Sequence, residues 1–174
     1  MTSPRHPLHG PLWVVVADQL DYLLWARDRI LSAAAHVPSA DFLSPETVTT
    51  RSLRATIAHQ VECEWAWRIR LSEGAFPDGD VLPGDFETLE PLAERWRTEG
   101  QALRDWLEQL SDDELGSSPP GAGNTLERWR YLLYVVNHGT QQISEAAVLL
   151  TRAGQSPGEL GYLEFCSSRD RPSA

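Results

Sequence analysis

The chain has no lysine; all 15 of its basic residues are arginine. That removes Schiff-base chemistry, a lysine general base and a Walker-type phosphate-binding lysine together. Cysteine is nearly absent as well, with only Cys63 and Cys166 in 174 residues. Two cysteines are too few for a disulfide scaffold, so free thiols are expected. No apolar run approaches the roughly 20 residues that span a bilayer. The opening "MTSPRHPLHGPLW" places prolines and histidines where a secretion signal would carry its apolar centre, so a cytoplasmic location is expected. Basic charge is scarce too: 25 acidic residues against 15 basic ones leave a net charge of −10, which repels phosphate backbones and anionic membrane surfaces. Neither nucleic acid nor membrane is an expected partner.

The chain does hold apolar residues at helical spacing. From Pro11 to about His36, Leu12, Val15, Val16, Leu20, Leu23, Leu24, Arg27, Ile30 and Leu31 mark one helix face. A second helix is expected in "SLRATIAHQVECEWAWRIRLSEG", with Ser52 as N-terminal cap and Gly74 as left-handed stop. The third runs from Thr88 to about Leu110, weakened near its middle by Gly100. The fourth and longest follows Thr125 as cap and runs to Arg152, with Gly154 ending it. The segments 37–51, 75–86 and 111–124 read as connectors, and Asp112 and Asp113 as solvated loop acids. The tail offers one short apolar element, Leu160 to Phe165, then frays from about residue 167. No strand-period segment or internal repeat stands out. The expected fold is a single all-α domain, a four-helix bundle with long connecting loops and a short C-terminal element, its core over residues 12–165.

Within the fourth helix a polar patch, Asn137 to Gln142, interrupts the apolar pattern. His138, Gln142, Glu145 and Leu149 share a face there, as do His59, Glu62 and Cys63 on the second helix. Imidazoles projecting from two facing helices are the usual way a bundle builds a transition-metal site. The plainer alternative is two half-buried histidines hydrogen-bonded to Gln142 and Glu145. A Cys63/His59 nucleophile pair is disfavoured, because neighbouring carboxylates oppose the thiolate. No G-x-S-x-G sequence is present to suggest a serine hydrolase. The seven tryptophans fall at helical spacings and read as packing.

The segments "DYLLWARDRILSAA", "SLRATIAHQVECEWAWRIRL" and "LERWRYLLYVVNHGTQQISEAAVLLTRAGQSPGEL", in that order, resemble the DinB-like (DinB/YfiT-like) four-helix-bundle family over most of residues 12–165. The resemblance implies a divalent metal, commonly nickel or zinc, with manganese or iron as other options. It also implies three ligands, one on the second helix and two in an H-x-x-x-H of the fourth. Placed on this chain, those positions are His59, His138 and Gln142. The third is glutamine where the family carries histidine, and an amide oxygen is a far weaker ligand than imidazole. Glu145, Glu62 or Cys63 could compensate. Two functions are implied: a metal-dependent enzyme, such as a transferase acting on a small molecule with a low-molecular-weight thiol, or a non-catalytic bundle that has lost its metal and serves as a ligand-binding or interaction module. A homodimer is also expected from the family.

Overall fold

The computed structural model describes residues 9–169. Four long helices, α1 (Pro11–Ala34), α3 (Leu53–Glu73), α4 (Leu89–Glu108) and α6 (Arg128–Arg152), form the bundle. Three short ones, α2 (Ser39–Leu43), α5 (Asp112–Leu115) and α7 (Tyr162–Arg169), lie between or after them. No strand occurs among the described residues. Helix α6 packs against α1 and α3, and α4 closes the ring against α3 and α1. Leu20, Leu23 and Ile30 of α1 meet Ile57, Val61 and Leu71 of α3, Leu92, Trp96, Leu103 and Leu107 of α4, and Leu132, Ile143 and Leu150 of α6 in one core. No described helix is long and apolar enough to cross a membrane.

Local chemistry explains most boundaries. Ser52 Oγ accepts from the Ala55 amide, and Gly74 takes the left-handed conformation that stops α3. Gly139 of α6 is where the neighbours come closest. A Cβ there would lie 2.6 Å from a Leu23 methyl and 2.9 Å from the Gln60 amide nitrogen, so only glycine lets α1 and α3 pack so near. Gly100 of α4 leaves room for Arg27, whose guanidinium would sit 2.5 Å from an added Cβ.

Several expectations need correcting. Segment 37–51 contains α2, held by the buried ring of Phe42. Helix α6 begins at Arg128 behind Glu127, three residues after Thr125. Val15 points outward at 56% exposure, so the inward face of α1 runs through Val16 instead. Helix α7 continues past residue 167 to Arg169, which pairs with Asp18 at 2.8 Å, while the rest of the tail expected to fray, 170–174, lies outside the described residues.

The largest correction is Asp112. It opens α5, and its carboxylate accepts from the backbone amides of Gly10, Leu12 and Trp13 at 3.0, 3.0 and 2.8 Å. Gly10 supplies no side-chain cap, so an acid about 100 residues away in sequence satisfies the open amides of α1 and meets its positive end. Asp112→Ala is expected to lower unfolding free energy by about 1–2 kcal/mol in urea titration, while Asp113→Ala, exposed beside it, should stay within about 0.5 kcal/mol. Equal losses in the two variants would refute the capping role.

Candidate metal centre

Helix α3 presents His59, Glu62 and Cys63 on one face through i, i+3 and i+4 spacing, and α6 brings His138 against them. Cys63 Sγ lies 3.8 Å from His59 Nε2 and 3.8 Å from His138 Nε2. The two imidazole centroids are 5.1 Å apart, with the rings edge to face. Among the described residues this is the one His/Cys/Asp/Glu group gathered at ligand spacing, its donor atoms all within 4.8 Å of one another. Metal bonds of about 2.3 Å to sulfur and about 2.0–2.1 Å to nitrogen, meeting at tetrahedral to trigonal angles, separate sulfur from nitrogen by roughly 3.6–3.8 Å. Both sulfur–nitrogen spacings, 3.8 Å, lie at the upper end of that range.

The surroundings favour that use. Glu62 lies 3.5 Å from His59 Nδ1, on the far side of the ring from Cys63, which leaves Nε2 toward the thiol. A carboxylate behind an imidazole is the common arrangement around ligating histidines. Burial, then the charges of His59 and Arg51, push His138 below its ordinary value against the opposing pull of Glu145, so its imidazole stays neutral. Burial and then Glu62 push the Cys63 thiol up to about 11, with Glu64 adding to the rise and Arg51 opposing it. Unaided, Cys63 is a thiol at neutral pH and a poor nucleophile, in line with the sequence reading.

The remaining sequence-derived residues have different surroundings. Gln142 is buried, 6% exposed, and its carbonyl oxygen has no hydrogen-bond partner among the described residues. Glu145 accepts a 2.7 Å bond from Thr50 Oγ1, which ties the segment preceding α3 to α6. Glu62 and Glu145 both stand outside the three-residue cluster. Of the polar patch, Asn137 and Gln141 face solvent, whereas Gly139 and Gln142 face inward. Both cysteines are free.

Three features had no sequence signal. Arg51, outside α3, sets its charge against Cys63 and His138, with its Nη1 3.4 Å from Thr50 Oγ1. Gln60 and Glu64, one helical turn apart and each 1% exposed, extend a polar stripe into the core beside the cluster. Glu64 Oε1 accepts from Gln60 Nε2 at 2.8 Å and from the Trp96 indole at 2.9 Å. Burial pushes Glu64 up to about 7, against the pull of those two bonds and of Arg27, with Glu99 adding to the rise.

A helical bundle with a two-histidine, one-cysteine cluster between two of its long helices is thereby defined. The DinB family model matches residues 14–171, nearly the whole chain, and the chain belongs to the DinB family. No curated protein matches it.

Proposed function

We propose that His59, Cys63 and His138 hold one divalent transition metal ion, and that the protein is a metal-dependent transferase acting on a small organic molecule with a low-molecular-weight thiol. The observation that carries this is the gathering of three donor atoms of metal-binding type within 4.8 Å, Cys63 between two histidine Nε2 atoms. Cys63 takes the place the family resemblance gave to Gln142, and a thiolate is a far stronger donor than an amide oxygen. Two imidazoles and a thiolate favour zinc over manganese, which prefers oxygen donors. When bound, such an ion lowers the pKa of a bound thiol or water and makes a nucleophile available near neutral pH. Glu62 orients His59, Arg51 sets positive charge beside the cluster, and the Thr50–Glu145 bond holds Arg51's segment in place.

Elemental analysis after incubation with zinc and dialysis tests this. Near one ion per chain is expected, lost in His59→Ala, Cys63→Ala and His138→Ala but kept in Gln142→Ala. Loss in Gln142→Ala with retention in Cys63→Ala would return ligation to the family positions and refute the cysteine ligand. One observation favours a second reading, a bundle without metal: glutamine stands at the third family position. A chain that takes up no metal, yet does so as Gln142→His, would establish that second reading.

A further inference from the structure

A cavity of about 320 Å³ opens on the same cluster, with His59 and Cys63 in its lining. One wall is helical, formed by Trp65, Ala66 and Trp67 of α3; the other is the loop after α3, carrying Phe76 and Pro77. Trp67 anchors this wall by meeting Phe76 edge to face at 5.3 Å, Tyr131 at 5.6 Å and Tyr134 at 5.1 Å. Tyr134 in turn reaches His138 at 6.2 Å, so the aromatic wall is continuous with the candidate ligands. Phe76 remains half exposed.

The charged groups lining the cavity are of one sign. Glu62 and Asp80 both line it, and no arginine does. Arg70 lies over Phe76 at 4.5 Å and over Trp67 at 5.9 Å, and Arg95 lies over Trp65 at 5.7 Å; neither arginine lines the cavity, so all three rings already hold a cation from outside it. Charges in contact with a ligand outweigh those behind a ring, because Coulomb energy falls with distance and with the water between. Aromatic faces together with carboxylates are the chemistry that recognises an ammonium group, and the apolar walls suit an aromatic or aliphatic body.

We propose that this cavity is the substrate pocket and that it takes a small organic cation, an amine or quaternary ammonium with an apolar body, its body against Trp67 and Phe76 and its charge toward Asp80 and Glu62. The proposal deepens the metal-enzyme reading by naming its substrate class, and it rests on that reading only for what the bound molecule meets at His59 and Cys63. Binding itself needs no metal.

The test uses the full chain, both stripped with chelator and loaded with zinc, and follows tryptophan fluorescence and heat. The probes are benzyltrimethylammonium, choline, the neutral isostere of choline 3,3-dimethylbutan-1-ol, and phenylacetate. Quaternary nitrogen cannot ligate a metal, so its binding reports the pocket alone. Saturable binding of benzyltrimethylammonium is expected, weaker for choline. The neutral isostere should bind at least about tenfold more weakly than choline, and phenylacetate should not bind. Asp80→Asn should reduce the preference for cation over isostere, and Trp67→Leu should weaken every probe, with zinc uptake unchanged in Asp80→Asn. No binding, equal binding of choline and its isostere, or tighter binding of phenylacetate would overturn the proposal. Ammonium binding without zinc uptake would leave the pocket standing and remove the metal; zinc uptake without ammonium binding would do the reverse.

Discussion

Zinc affinity is expected to rise about tenfold for each pH unit between about pH 7.5 and 9, with about one proton released for every ion bound. The cause is Cys63. Burial first, and then the carboxylate of Glu62, hold its thiol at about 11, so a proton must leave before sulfur can ligate. His138 contributes no proton in this range, because burial keeps it below its ordinary value. Cys63→Ala should bind zinc with little pH dependence and with a loss well beyond the about 10–100-fold typical when only a supporting group is removed. Glu62→Gln removes a charge that raises the thiol and also the carboxylate behind His59, so its affinity should fall while the proton count stays near one. The measurements are competition against a chromophoric chelator across pH and proton release in weak buffer. An affinity independent of pH in the unaltered chain would exclude a thiolate ligand and point to the neutral amide of Gln142.

Which parts of this molecule could be read in advance follows from how far each interaction reaches along the chain. The long helices rest on local periodicity, and Ser52, Gly74 and Gly154 mark ends through bonds within a few residues. Cys63 joins His59 by the i, i+4 rule alone. His138 lies 75 residues from Cys63, and spacing could not pair them; the family resemblance paired His138 with His59 and left Cys63 as one of three compensating ligands. Asp112 reads as a loop acid because the amides it caps are about 100 positions away. Gln60 and Glu64 escaped for a different reason. Helix α3 carries polar residues around its circumference, with Thr56, Gln60 and Glu64 inside and His59, Glu62 and Cys63 beside them, so no apolar stripe announces which face is inward. Only the arrival of Trp96 and Arg27 makes that stripe a core.

The buried carboxyl of Glu64 should make the metal-free protein less stable as pH rises. Its folded-state value is raised, from 4.5 to about 7, because burial penalises the anion more than Gln60, Trp96 and Arg27 stabilise it. Between those values the folded chain holds a proton that the unfolded chain has released. Stability is therefore greatest below about pH 4.5 for this group, declines through about pH 7, and levels off above it. At about 1.4 kcal/mol per pH unit the full effect is on the order of 3 kcal/mol. Glu64→Gln keeps the shape and an oxygen to accept from Gln60 and Trp96, and it has nothing to ionise. It should be more stable than the unaltered chain at pH 8 by about 2–3 kcal/mol, the amide nitrogen facing Arg27 taking back some of the gain, and no more stable at pH 5. Urea unfolding of chelator-treated protein at several pH values reads this difference directly. A variant that is destabilised by the same amount at every pH would mean that Glu64 is ionised in the fold and held by Arg27, reversing the sign of its contribution.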